Sequence, residues 1–183
     1  MKKSTVSPTF FIFLLFTSIS CVKDIDFGQA EDLILRPEYL ISLVYTNLDQ
    51  TNFTDSSGNE ISEITDRTRV DFFGSFTEDY LQKIDVDIQI SNTFNRSFIL
   101  EFRFVDENNM ETYTFPSLSI SANSADFRYT EEIDVAVNPA ILLTESIDMT
   151  LTLLPSPDGS VIDSTQQANF IFKSAGTFYL QIN

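Results

Sequence analysis

In a 183-residue chain with 27 acidic residues, one cysteine and no histidine, any chemistry would have to rest on carboxylates. Asp85 and Asp87 stand two residues apart in a run where Ile84, Val86, Ile88 and Ile90 alternate with polar side chains. On a strand that spacing puts both acids on one face, about 7 Å apart. Glycosidases use two carboxylates near that separation, one of them with a raised pKa. The same alternation places both acids on the wet face, so a solvated surface is the expectation here. Asp106, Glu107, Asn109 and Glu111 gather around one turn, and Asp55, Asn59 and Glu60 around another. Calcium takes about six to eight oxygens, but neither cluster has the spacing of a calcium loop. Incidental loop acidity is expected, with no metal site and no cofactor.

The absent residue types narrow the chemistry further. Without histidine there is no Ser-His-Asp or Cys-His nucleophile system, and zinc sites built on His and Cys are excluded. Five glycines, none clustered, leave no phosphate-binding loop. A formal charge of −16 repels nucleic-acid phosphates and anionic head groups. The chain is therefore expected not to be an enzyme and not to bind nucleic acid. Tyr39, Tyr45, Tyr113, Tyr129 and Tyr179 could bind glycans, but each falls within a strand pattern where cross-strand packing accounts for it.

The first twenty residues read as a secretory leader. Met1-Lys2-Lys3 is basic, residues 9–16 (TFFIFLLF) are apolar, and Thr17-Ser18-Ile19-Ser20 is small and polar apart from Ile19. That order marks a signal peptide, and the apolar block is shorter than the ~20 residues a membrane span needs. The cysteine, Cys21, stands at the expected cleavage point. Ser18-Ile19-Ser20-Cys21 resembles a lipobox, with Ser18 where leucine is usual; relaxed lipoboxes are common in Bacteroidota lipoproteins. Cys21 is thus the expected lipidation site, anchoring the mature chain in the outer membrane. Stable anchoring takes at least two membrane signals, which the two or three acyl chains of a lipoprotein cysteine supply. Removing Lys2 and Lys3 with the leader takes the charge of −16 two units further, to −18.

After the cysteine, Lys23, Asp24 and Asp26 resemble the lysine-then-acidic tract that directs some Bacteroidota lipoproteins to the cell surface, although Ile25 separates the acids. Surface exposure is expected in preference to the periplasmic face. Asp163-Ser164-Thr165 resembles an O-glycosylation pattern of the same phylum, making Ser164 a candidate modification site.

The remaining chain alternates with period two. Strands are expected over Ile84–Ser91, Phe98–Val105, Met110–Phe115, a short piece at Leu118–Ile120, and Ile147–Leu153. Phe127–Tyr129 and Ile133–Val137 carry the same period as separate pieces. Phe170–Lys173 and Phe178–Ile182 read as a closing pair around Ser174-Ala175-Gly176. Residues 39–45 are apolar on both sides, as in a central or doubly covered strand. Short helical turns are expected at Asn138–Leu143, with a capping Asn and Pro at the first helical position, and at Thr77–Leu81. Thr51–Glu63 reads as a loop. The domain organisation is therefore a leader over 1–20, a polar tether over 21–37 and an all-β domain over 38–183. The fold class is an antiparallel two-layer β-sandwich, Greek-key or immunoglobulin-like, with a closed barrel as runner-up. A transmembrane barrel is not expected, because no continuous lipid-facing band runs through the strands.

Residues 21–48, CVKDIDFGQAEDLILRPEYLISLVYTNL, are similar to the opening of a group of uncharacterised flavobacterial (Bacteroidota) lipoproteins: an acidic stretch after the cysteine, a proline, then an apolar strand ending in an aromatic. Residues 88–109, IQISNTFNRSFILEFRFVDENN, resemble their strand, Asn-rich turn, strand pattern. The resemblance implies the sandwich and the anchor, and brings no activity. The function expected first is a non-catalytic outer-membrane lipoprotein that binds a protein or glycan partner or serves envelope assembly. The alternative is a pilin- or adhesin-like subunit assembling by strand exchange, with Leu33-Ile34-Leu35 as a displaced edge strand. A carboxylate-based hydrolase comes last.

Overall fold

The computed structural model describes residues 34–70, 72–163 and 165–182, and the compact unit runs from Leu35 to Ile182. Strands β1 (Glu38–Asp49), β3 (Leu81–Asn92), β7 (Phe127–Asp134) and β9 (Asn169–Leu180) form one sheet, ordered β1-β9-β3-β7. Strands β2 (Glu63–Arg69), β8 (Ser146–Leu153), β4 (Phe98–Val105) and β5 (Glu111–Thr114) form the other, ordered β2-β8-β4-β5. The short β6 (Leu118–Ile120) pairs with β4 beyond β5, so β5 and β6 act as one edge strand. Pro116 lies in the gap, where it can donate nothing to a ladder. Every strand pair is antiparallel. The expected two-layer antiparallel sandwich is therefore present. Its strand order is that of a jelly roll, the double Greek key, in place of the immunoglobulin variant.

Nine buried phenylalanines are set among the aliphatic side chains of the core between the sheets. Phe98, Phe102 and Phe104 of β4 and Phe170 and Phe172 of β9 are fully buried. Phe53, from a 3₁₀ turn over Gln50–Phe53, joins them. Edge-on and tilted ring contacts run from Phe94 and Phe53 through Phe98 to Phe170, and from Phe115 through Phe102 to Phe172. Each such pair adds about 0.5–1.5 kcal/mol beyond area burial.

The final segment departs from expectation. Residues 169–180 form one unbroken strand, with no turn at Ser174-Ala175-Gly176. Ser-Ala-Gly has turn composition, but these residues hold register on both sides: Ala175 opposite Ser42 and Asp87, Gly176 opposite Ile41 and Val86. The glycine answers a steric demand from the core. A Cβ on Gly176 would stand 2.7 Å from Phe178 Cε2, and Phe178 is itself buried.

Strand β1 also departs. It is an edge strand, paired with β9 alone among the described residues. Its apolar character on both sides comes from a bulge between Ser42 and Val44, which turns the consecutive Leu43 and Val44 both inward. The orphaned Val44 N–H is met by the buried Ser174 Oγ at 3.1 Å. Phe127–Tyr129 and Ile133 merge into the single strand β7, which ends at Asp134, leaving Val135–Val137 in the following turn. The strand β2 was not foreseen; it follows a polar loop with few apolar residues. Leu35 pairs with Ile182 through two backbone hydrogen bonds of 2.9 Å, so this end of the Leu33–Leu35 run is not displaced from its own sheet. The two helical turns lie where expected: α1 (Ser75–Tyr80) and a 3₁₀ turn at Pro139–Leu143.

Gly176→Ala is expected to lower stability by about 1–3 kcal/mol through overpacking against Phe178. Urea denaturation followed by tyrosine fluorescence measures this. An unchanged midpoint would mean that the ring moves aside freely.

Candidate functional site

Strand pairing sets the outer face of the four-stranded sheet as a grid. Antiparallel neighbours in register share a face, so cross-strand partners form rows. One row reads Tyr45, Lys173, Gln89, Arg128 from β1 to β7. The next reads Ser42, Ala175, Asp87, Thr130, and the one after it Leu40, Thr177, Asp85, Glu132. The short side chains of the middle row, with Lys173, Gln89 and Arg128 of the first row, line an open concavity of about 480 Å³. The β1 bulge brings to the outer face both Ser42, which lines the concavity, and Tyr45, three residues on and beside Lys173 in the adjacent row, whereas an unbroken strand would send them to opposite faces. Tyr45 is 63% exposed.

Asp85 and Asp87 do share this outer face, as expected. Asp85 is held by Lys83 Nζ, 3.1 Å from both of its oxygens, and by Tyr179 Oη at 2.9 Å. Glu132 first, then Asp85, push the Lys83 ammonium up to about 12. Asp87 accepts from Thr130 Oγ1 at 2.6 Å through one oxygen. Both carboxylates are thus engaged by neighbouring side chains on the open sheet face.

Most of the polar side chains at the two acidic turns are occupied by bonds. Asp106 accepts from the backbone N–H groups of Asn108 and Met110. Glu111 pairs with Arg103 at 2.9 Å, and Asn109 accepts from Arg67. Asp55 accepts from the N–H groups of Ser57 and Asn59 and from the Asn59 amide; these bonds hold its pKa below the usual value, the Asn59 amide foremost. Among the described residues no three His, Cys, Asp or Glu side chains converge as metal ligands. Tyr113 and Tyr129 both donate to Glu131, a clasp between β5 of one sheet and β7 of the other. Burial, then Glu131, pushes the Tyr129 phenol up to about 12.

Two charged assemblies were not read from the sequence. Asp148, on the outer face of the other sheet, sits between Arg67 and Arg103 at 2.5 and 3.3 Å; Arg67 is the main cause of its lowered pKa. Arg96 is only 6% exposed. It grips Glu60 at 2.7 and 3.0 Å and the carbonyls of Leu154 and Ser160. Glu60 also accepts from the Ile162 N–H at 2.8 Å. Three loops at one end of the sandwich are thereby tied to one ion pair. Sequence holds no signal for such pairs, because the partners lie 36 or more residues apart. Lys173 was also missed, though its place between the inward Phe172 and Ser174 makes it outward-facing. Among the described residues it has no ion-pair partner, unlike Arg67, Lys83, Arg96, Arg103 and Arg128.

Cys21, Lys23, Asp24, Asp26 and Ser164 lie outside the described residues. No described helix is long and apolar enough to cross a membrane.

The Arg96 hydrogen bond is the main cause of the depressed Glu60 pKa, with burial opposing it and the Ile162 N–H assisting. A carboxylate with a depressed folded pKa stabilises the fold above its unfolded value, about 4.3, and loses that contribution as pH falls through the folded value. Glu60→Gln is expected to cost about 2–3 kcal/mol at pH 7, less than a fully buried pair. The gap between wild type and variant should hold steady above about pH 5 and close in more acid solution. Urea midpoints from pH 7 to pH 3 measure it; a pH-independent gap would refute the ion-pair account.

No protein-family model matches the chain, and no curated protein matches it. Among solved structures it is similar to a protein of Parabacteroides distasonis whose name marks it as secreted: TM-score 0.49 and 18% identity, over 63% of this chain and 37% of that one. It is also similar to VP2 of the infectious bursal disease virus subviral particle, with TM-score 0.41 and 10% identity over 79% of this chain and 32% of that one. For tailspike protein 4 of bacteriophage CBA120 the values are 0.35 and 13%, over 85% and 20%. The chain thus spans less than two fifths of the length of each of these proteins, and at such identities the likeness concerns the β-fold alone.

Proposed function

We propose that this protein is a non-catalytic lipoprotein, anchored in the outer membrane through Cys21, whose jelly roll presents the outer face of the four-stranded sheet to a partner outside the cytoplasm. The observation that carries this reading is the uneven use of polar groups. At the turns and on the opposite sheet, Asp106, Asp55, Asp148 and Glu60 are joined to backbone N–H groups or to arginines. On the open face, Lys173, one oxygen of Asp87 and the Tyr45 ring remain available. Such a surface offers a donor, an acceptor and an aromatic face to a partner. The basic, apolar, small-residue order of residues 1–20 before Cys21 supports the anchor.

Protease shaving of intact cells tests the orientation, and metabolic labelling with a palmitate analogue tests the anchor. Wild type is expected to incorporate label and to be degraded on unbroken cells. Cys21→Ser should lose the label. Survival of the wild-type chain until lysis would place the domain in the periplasm, and an unlabelled wild type would remove the anchor.

A second reading, a subunit that assembles by accepting a strand, is favoured by one observation. The outer edge of β1, unpaired among the described residues, exposes Tyr39, Leu40 and Tyr45 and has no charge from Tyr39 to Leu48. The opposite edge, β7, carries Arg128, Glu131, Glu132 and Asp134, the pattern that discourages edge pairing. Ladders resistant to SDS from whole cells would support this reading, and a single monomer band would exclude it.

A further inference from the structure

We propose that the furrow across the outer face of the four-stranded sheet is a binding site for a neutral oligosaccharide, with Tyr45 as its stacking platform and Lys173 and Asp87 as its polar reader. This rests on the reading of that face as the partner-binding surface and supplies the ligand class.

The direction of the furrow decides against a peptide. It runs across the strands, along the row Ser42, Ala175, Asp87, Thr130. The backbone groups of β9 and β3 beneath it are consumed by ladders on both sides. An extended peptide laid there would find no main-chain partners, the interaction on which strand addition depends. A glycan needs none; it is recognised by side-chain hydroxyls, carboxylates, ammonium groups and aromatic faces. From β1 to β7 the furrow spans three inter-strand spacings of about 4.8 Å, about 14 Å, the length of about three linked pyranose rings.

The polar groups suit hydroxyls. A sugar hydroxyl both donates and accepts, whereas an ammonium only donates and a carboxylate only accepts. Lys173 and Asp87 are diagonal neighbours on adjacent strands, Lys173 opposite Gln89 and Asp87 opposite Ala175, a placement that separates backbones by about 7–8 Å. Two adjacent hydroxyls of one ring can bridge that donor and acceptor. Lys173 has no protein partner among the described residues, and Asp87 gives only one oxygen to Thr130. Tyr45 stands beside Lys173 at the β1 end with its ring exposed, ready to cover the apolar face of a sugar.

Charge selects neutral glycans over acidic ones. Lys173 and Asp87 cancel, and the nearby Arg128 is joined to Asp126 at 3.0 Å. The furrow therefore offers no net positive charge within a chain of −16. A uronate or sulfate would enter a field of its own sign.

The test is an array of neutral and anionic oligosaccharides probed with the detergent-solubilised, full-length mature protein, followed by titration calorimetry on the hits. The neutral probes are hexasaccharides of β-glucan, mannan, xylan and α-glucan; the anionic ones are hexamers of alginate and chondroitin sulfate. Binding to at least one neutral hexamer is expected, with the matching disaccharide much weaker. Tyr45→Ala should weaken it about tenfold or more, as loss of an aromatic anchor does. Asp87→Ala and Lys173→Ala should each weaken it as well. Thr150→Ala on the other sheet should not, and the Tyr45 variant should melt at the wild-type temperature, since its ring is exposed. A blank neutral array, binding confined to the anionic probes, or neutral binding that Tyr45→Ala leaves unchanged would each overturn the assignment. A blank array leaves the anchored surface-module reading standing, because shaving and lipid labelling test that independently of any sugar.

Discussion

The two ladders on β9 are the constraint on which the structure depends. This strand pairs with β1 along nearly its whole length on one side and with β3 on the other. Its inward residues, Phe170, Phe172, Ser174, Gly176, Phe178 and Leu180, form the centre of one core wall. Its outward residues, Lys173, Ala175 and Thr177, form the centre of the open face. Both surfaces are fixed by one register, and a slip of one residue would exchange them. Gly176 and Ser174 keep that register workable. The glycine makes room for the Phe178 ring, and the serine supplies the acceptor that the β1 bulge leaves its own N–H without.

Much of this was legible from alternation alone. β3, β4 and β8 appear as strict period-two runs because one face of each meets the core and the other meets water. The failures have specific causes. Ser174-Ala175-Gly176 has the composition of a turn, yet each of its small residues answers a demand from a neighbouring strand. β1 reads as buried on both faces because a bulge puts Leu43 and Val44 on the same side, which no fixed period can represent. β2, with Thr, Asp and Arg along most of its length, is a strand through pairing with β8, and its own composition gave no signal.

The candidate site was legible in part for the same reason. The shared face of Asp85 and Asp87 follows from spacing, and so does the outward direction of Lys173. The row that joins Tyr45 to Lys173, Gln89 and Arg128 does not, because it depends on three cross-strand registers and one bulge. Long-range ion pairs behave likewise. Arg96 lies in what reads as an ordinary Asn-rich turn, and only the folded chain brings Glu60, Leu154 and Ser160 to it.

An acidic chain with few cations cannot spread them evenly. Arg96 ties three loops at one end, Arg67 and Arg103 hold Asp148 on one sheet, and Lys83 holds Asp85 and Glu132 on the other. Each of these sites relieves acidic groups that would otherwise be crowded, and each answers a structural need. Lys173 answers none among the described residues. It stands at the centre of a sheet face and pairs across strands with an exposed tyrosine and an amide. An ammonium without a protein partner, beside an open aromatic ring and a half-engaged carboxylate, adds little to the stability of the fold. Its place in the grid is better accounted for by what can lie across that face than by anything beneath it.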